Sequence, residues 1–312
     1  MSGIESAGQR SGKRSDAAEA LQRLIRATGA VIDPALVKGW YAPWRETQST
    51  EGVTRKLDIA YGPDKRHRLD VYVPDVPASG PRPLIVFVHG GGFIRGDRRE
   101  RANVGWRFAR AGFVTVLPSY RLGPTHRWPA GAEDVAAAHA WAHAHTHELN
   151  ADRARICVAG ESAGAAHVAA ALLMRRFHRP GVPAPAAAML VSGVYNARLE
   201  KMARHQFGIA TPDPRNEAYF GTDFARYGEM STVEHIDATP FPLLVTWAEL
   251  DPPQMQVQAG ELFARLVTHH GFAPELRVIA GHNHLSQLEA INTIDDVLAS
   301  ALLDFATACV RL

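Results

Sequence analysis

Cysteine is scarce in this chain, with two among 312 residues. Cys157 sits in a short apolar run and Cys309 in a helical pattern near the end, so nothing brings them together. That excludes a disulfide-stapled scaffold, and Cys157 reads as a small buried hydrophobe. Long hydrophobic runs are missing too: no stretch approaches the ~20 apolar residues of a membrane-spanning helix. An excess of one charge is also lacking. The formal net charge of +2 does not call for a nucleic-acid partner. The basic cluster Arg95, Arg98, Arg99 and Arg101 alternates with Asp97 and Glu100, which predicts a solvated face and not a polyanion site. Residues 1–16 are polar and carry Arg10, Lys13 and Arg14, with no apolar core after them. They read as a disordered tail and not a secretory leader, so a cytoplasmic protein without membrane association is expected.

What is present is ordinary globular composition, 46% hydrophobic and 21% charged, long enough for a sizeable core. Ala20, Leu21, Leu24, Ile25 and Ala27 recur at helical spacing. An aromatic patch follows, Leu36, Val37, Trp40, Tyr41 and Trp44, broken by Pro34 and Pro43. Residues 17–50 are therefore expected as a small helical cap over the main domain, the alternative being cover for a sheet edge. Residues 53–60 and 68–73 then predict two strands, the second alternating Leu69, Val71 and Val73 against Asp70 and Tyr72. From 84 onward the pattern changes. Short apolar strands at 84–88, 114–117, 156–159, 188–191, 243–247 and 276–279 alternate with helical patterns near 101–111, 131–147, 163–177, 255–270 and 286–308. Such alternation predicts an α/β domain over 51–312, a mostly parallel sheet of about eight strands with helices on both faces. Residues 195–237, rich in Pro, Gly and aromatics, read as an insertion contributing to the cap.

The chemistry starts at Gly160-Glu161-Ser162-Ala163-Gly164, between an apolar strand and an alanine-rich helix. A serine flanked by glycines in so sharp a turn can lift its hydroxyl above the sheet end, as a nucleophile must. Serine acyl transfer also needs a base, an orienting acid and donors for the oxyanion. His89-Gly90-Gly91-Gly92-Phe93 follows strand 84–88 directly, where unhindered backbone N–H groups can turn inward beside that of Ala163. A merely flexible glycine loop is the alternative. Asp251 lies just past strand 243–247 in a turn fixed by Pro252 and Pro253, and is favoured as the acid over Glu249. His284 opens the helical pattern after the last strand and is favoured as the base over His282. His139, His143 and His147 are spaced to share a helical face, but no third ligand or His-Glu-x-x-His arrangement supports zinc. They read as a solvated face, with no metal or other cofactor implied.

In order along the chain, His89-Gly90-Gly91-Gly92, Tyr120-Arg121-Leu122-Gly123-Pro124, Gly160-Glu161-Ser162-Ala163-Gly164, Asp251-Pro252 and His284 resemble the hormone-sensitive-lipase-like branch of the α/β-hydrolase fold. The likeness runs from about Leu57 to the end. It implies Ser162, Asp251 and His284 as a catalytic triad and Gly91, Gly92 and Ala163 as oxyanion donors. It also implies a cap built partly from the N-terminal helices, and a structural role for the segment from Pro129 to Asp134. Glu161 stands where that branch commonly has aspartate, Asp251 precedes two prolines, and the segment after His284 is similar to the arylformamidase-like subgroup.

The expected activity is hydrolysis of short- to medium-chain carboxylic esters through an acyl-enzyme, falling in acid as His284 gains a proton. The alternatives are an amide hydrolase of the arylformamidase type, acting on N-formylkynurenine, and a non-catalytic ligand-binding homologue. Trp40, Tyr41, Trp44, Phe93, Tyr195 and Phe207 are candidates for the substrate pocket, with plain packing as the other reading. The expected partner is a small ester, with no nucleic acid or membrane; the sequence sets no oligomeric state and is compatible with a homodimer.

Overall fold

A computed structural model describes residues 7–206, 214–238 and 241–311. Eight strands form one sheet: β1 (Val53–Ala60), β2 (Arg68–Pro74), β3 (Arg82–Val88), β4 (Val114–Pro118), β5 (Ala151–Glu161), β6 (Ala187–Val191), β7 (Leu243–Leu250) and β8 (Glu275–Asn283). Their order is β1-β2-β4-β3-β5-β6-β7-β8. β2 runs antiparallel to both its neighbours, β1 and β4, and the pairs from β4 through β8 are all parallel.

The central strands are apolar on both faces because both faces are covered. Leu84, Val86 and Val88 of β3 point into one apolar layer, and Ile85 and Phe87 into the other. The first layer includes side chains from α4 (Ala130–Ala144), α5 (Ala163–Leu173) and α8 (Pro253–His270). The second takes in α3 (Ala102–Arg110) and α10 (Val297–Val310). The expectation that nothing brings the two cysteines together is corrected: Cys157 lies in this second layer and Cys309 of α10 packs against the same layer, because α10 covers that face of the sheet; both are free thiols, and burial pushes the Cys157 thiol up to about 12. The helix expected over 286–308 is two, because α9 (Ser286–Glu289) ends before Asn292, whose φ of 67° interrupts the helical path to α10.

The N-terminal segment forms two helices, α1 (Ala7–Thr28) and α2 (Pro34–Arg45). α1 takes in residues 7–16 of the segment read as a tail, and residues 1–6 lie outside the described residues. Asp33 caps α2, accepting from the N–H groups of Ala35 and Leu36. α1 packs on β8 and α2 on α9, so the pair covers the sheet edge as well as the strand ends. Among the described residues of 195–237, α6 (Ala197–Gln206) and α7 (Pro214–Phe220) are followed by two 3-10 turns, Phe224–Met230 and Thr232–Glu234. No helix among the described residues is long and apolar enough to cross a membrane.

Topology positions the site. After β3 the chain crosses to one side to form β4, whereas from β5 onward it moves to the other side through β6, β7 and β8. The loops leaving β3 and β5 therefore diverge, opening a crevice above the carboxyl ends of two adjacent strands.

Candidate active site

Register brings the strand ends into step: Val88 pairs with Gly160, Glu161 with Val191, Val191 with Thr246, and Leu250 with Asn283. Each polar group of the site leaves its strand within a few residues of those ends. Gly90–Gly92 follow β3, Ser162 follows β5, Asp251 follows β7 and His284 follows β8.

Ser162 adopts φ 52° and ψ −120°, a backbone conformation that only a tightly held turn forces on a side-chain-bearing residue. Its N–H donates to the Val191 carbonyl, 2.8 Å away, and α5 begins at the next residue. Gly164 is required by packing: a Cβ there would sit 2.4 Å from the carbonyl oxygens of both Val88 and His89. The absent side chain lets α5 descend onto β3 directly beneath the elbow.

Ser162 Oγ lies 3.0 Å from His284 Nε2, and His284 Nδ1 lies 2.6 Å from Asp251 Oδ1. The second carboxylate oxygen of Asp251 accepts from Ser192 Oγ at 2.6 Å and from the Ala248 N–H at 2.8 Å. Gln287 Nε2 in turn donates to Ser192 Oγ at 2.8 Å. The carboxylate is thus fixed from three directions, which favours a proton on His284 Nδ1 and leaves Nε2 to accept from the serine.

The competing residues are occupied elsewhere. His282 is fully buried, with Nδ1 3.1 Å from Ser286 Oγ and Nε2 3.5 Å from Asp295. Glu249 bonds Arg26 of α1 and the Gly281 N–H, so it ties the cap to β8.

The loop after β3 turns tightly on itself. Gly91 has φ 131°, and a Cβ there would lie 2.0 Å from the Arg95 carbonyl oxygen. Gly90 N–H donates to Glu161 Oε1 at 3.0 Å, which pins the loop to the elbow. Among the described residues, no acceptor takes up the N–H groups of Gly91, Gly92 or Ala163. His89 stacks on Tyr120 at 4.4 Å, its Nδ1 donates to the Gly90 carbonyl at 2.6 Å, and burial pushes the imidazole down to about 4. It shapes the loop as a neutral ring. The Tyr120 hydroxyl donates to the His89 carbonyl and so braces this loop, and Arg121 binds Asp134 through its backbone N–H and guanidinium, which ties the segment after β4 to α4.

Beneath the loop runs a buried chain of charge. Arg101 bonds Glu161 and Glu289, and Glu289 also bonds Arg45 of α2. Burial alone would raise the Glu161 carboxyl; the charge and hydrogen bond of Arg101 and the Gly90 N–H outweigh it and hold it below the usual carboxylate range. The solvated face expected for Arg95 to Arg101 is thereby corrected. Arg98 and Arg101 are buried, Arg98 against Asp70 and Asp58, because the turn places them under the loop. The histidine face is corrected likewise. α4 ends at Ala144, before His147, and His139 is buried, its imidazole pushed down to about 4 by burial.

Ser162 and His284 open into a cleft of about 320 Å³, lined also by Gly90–Gly92, Phe93, Val194, Asn216, Gln254, Met255 and Leu285. Ile32, Pro34 and Lys38 reach it from the N-terminal cap, and Arg215 from α7. Of the aromatic pocket candidates Phe93 lines the cleft, stacked on Tyr219 at 4.8 Å. Trp40, Tyr41 and Trp44 instead pack with Leu21, Ile25 and Val37, holding the two cap helices together. Tyr195 is buried in the main core, and Phe207 lies outside the described residues. Sequence reasoning missed Ser192 and Gln287; a serine directly after an apolar strand was their only trace.

A family model described as alpha/beta hydrolase fold matches residues 85–288. Among curated proteins, Esterase LipC of Mycobacterium tuberculosis is 34% identical over 160 residues, 49% of this chain and 40% of that protein. Carboxylic ester hydrolase LipN of the same organism is 29% identical over 221 residues, 66% of this chain and 57% of that protein. The matched stretches thus span about half the length of these curated relatives. Among solved structures, a bacterial heroin esterase is 26% identical with a TM-score of 0.68, covering 89% of this chain and 88% of that one.

Proposed function

The chain belongs to the alpha/beta hydrolase fold family, and from that premise we propose that it is a serine hydrolase cleaving short- to medium-chain carboxylic esters. The observation that carries this reading is the continuous relay from Ser162 Oγ through His284 to Asp251, at 3.0 and 2.6 Å, opening into a cleft. His284 takes the proton from Ser162 as its oxygen attacks the ester carbonyl, and Asp251 stabilises the resulting imidazolium. The N–H groups of Gly91, Gly92 and Ala163 receive the negative oxygen of the tetrahedral intermediate. The alcohol departs with the proton from His284, and water, activated by the same imidazole, releases the acid.

The substrate is small. At about 320 Å³ the cleft falls at the low end of the ~300–1,000 Å³ of small-molecule sites, which suits short and medium acyl chains. Placement in the hormone-sensitive-lipase-like branch is supported by the five ordered segments and by a cap whose Ile32, Pro34 and Lys38 face the cleft. The names of LipC, LipN and the heroin esterase agree with ester chemistry.

Turnover of p-nitrophenyl esters from acetate to laurate, measured beside N-formylkynurenine, tests the reading. Highest kcat/KM at butyrate to octanoate is expected. Faster cleavage of the formyl amide than of every ester would assign the arylformamidase reaction instead.

A further inference from the structure

His284 must meet two partners at once, and the placement of its backbone decides whether it can. Nδ1 reaches Asp251 at 2.6 Å and Nε2 reaches Ser162 Oγ at 3.0 Å, so a small shift of the chain weakens one contact or the other. Strand pairing alone does not fix that chain. Between the pairs Ala248–Ile279 and Leu250–Asn283, Glu249 of β7 stands opposite Ala280, Gly281 and His282 of β8. The extra residues bulge from the ladder, with Gly281 at φ 77°. Beyond the base, α9 begins at Ser286 after Leu285, which makes no side-chain capping bond.

Asn283 supplies what both stretches lack. Its Oδ1 accepts from the Leu285 N–H at 3.3 Å and the Ser286 N–H at 3.0 Å, closing a turn around His284. Its own N–H donates to Ser286 Oγ at 2.9 Å, so the turn is clasped twice. Its Nδ2 donates the other way, to the Gly29 carbonyl at 3.1 Å, just past the end of α1. Ile32, a little further along the cap, lines the cleft. The side chain is fully buried, and two N–H donors on one side with a carbonyl on the other fix which end of the amide is oxygen.

From this placement we infer that Asn283 is a positioning residue for the base: its amide oxygen holds the turn that aims His284 at Ser162, and its amide nitrogen ties that turn to the cap wall of the cleft. Without the oxygen, the Leu285 and Ser286 N–H groups lose their acceptor and the turn can open. A displacement of about 1 Å in a reacting group is enough to cost about 100-fold in rate. The inference rests on the proposed esterase reading and adds a residue outside the Ser162–His284–Asp251 relay on which its rate depends.

The variants Asn283→Ala, Asn283→Asp and Asn283→Ser test it in the full-length protein. Turnover of p-nitrophenyl butyrate, the second-order rate of fluorophosphonate labelling and the urea midpoint are measured on each. Asn283→Ala removes both halves of the amide and should lower kcat and labelling by a common factor of about 10–100 in folded protein. Asn283→Asp keeps the accepting oxygen and loses the donor. It should recover most of kcat and of the labelling rate, while KM stays raised several-fold because the cap near Ile32 is no longer tied. Asn283→Ser, whose hydroxyl accepts more weakly in such a turn, should fall between them, and replaces the alanine variant in the comparison if that one does not fold. A side chain needed only for packing would lower the urea midpoints and leave kcat and labelling of the folded variants unchanged. That result, or an aspartate variant as slow as the alanine variant, overturns the inference and leaves the esterase reading standing. A wild-type protein that neither cleaves the ester nor forms the adduct overturns both.

Discussion

Ser162 holds its φ of 52° against a cost of about 1–3 kcal/mol for a non-glycine residue in such a conformation. The Val191 hydrogen bond and the packing of α5 on β3 impose it. Removing the side chain should release that strain. Ser162→Gly is therefore expected to unfold at higher denaturant, by roughly 1 kcal/mol, while losing on the order of 10⁶-fold in kcat. A destabilised glycine variant would mean the turn is not strained. Ser162, Asp251 and His284, which the fold brings within hydrogen-bond distance of one another, were all legible in the sequence as candidates, since each follows an apolar strand directly and carries its own local signal: flanking glycines, a double proline, a strand exit. Ser192 was not legible. Its role as a donor to Asp251 depends on the alignment of β6 beside β7, which no local pattern encodes.

Elements matter here through what they press together. The expected strands all occur, because two apolar layers force nearly continuous hydrophobic runs that the eye finds easily. The buried charges were misread for the converse reason. In sequence Arg98 and Arg101 alternate with acids as a surface helix would, yet their partners Asp70, Glu161 and Glu289 come from distant elements. The chain Arg45–Glu289–Arg101–Glu161 links α2, α9, the turn before α3 and the elbow, and ends on the Gly90 N–H. Breaking a buried pair from one side costs about 3–5 kcal/mol. Glu161→Gln is expected to lose stability in that range and to lower kcat as the Gly90–Gly92 loop loosens. The equilibrium denaturation curve and the rate with p-nitrophenyl butyrate check both effects. An unchanged denaturation midpoint would show that Arg101 finds sufficient partners without Glu161.

Across the whole molecule, burial of three imidazoles sets a response to acid. Burial pushes His89 and His139 down to about 4 and His167 to about 3. In the unfolded chain these groups titrate near the reference ~6.5. Between those values the unfolded state binds more protons than the folded one, so stability rises with pH and falls on acidification. Each group contributes a slope of up to about 1.4 kcal/mol per pH unit. Glu161 acts in the same direction lower down: its contribution is present above the unfolded carboxyl value and is lost as pH falls through the lower folded one. Urea midpoints should decline steadily from pH 6.5 to 4.5, and His139→Leu should flatten that decline by one group's worth. A decline as steep in His139→Leu as in wild type would contradict the assignment. The cap illustrates what remained hidden at this scale. Its aromatic residues were visible, but whether Trp40, Tyr41 and Trp44 face the substrate or one another depends on how α1 and α2 cross. They face one another.

The central claim is that Ser162 is a nucleophile activated by His284. Intact and peptide mass spectrometry after treatment with a fluorophosphonate tests it most directly. One adduct on Ser162 is expected in the wild-type protein and in His282→Asn, none in Ser162→Ala, and labelling slowed by several orders of magnitude in His284→Ala. An unmodified Ser162 in the wild-type protein, or equal labelling of the His284→Ala variant, would contradict it.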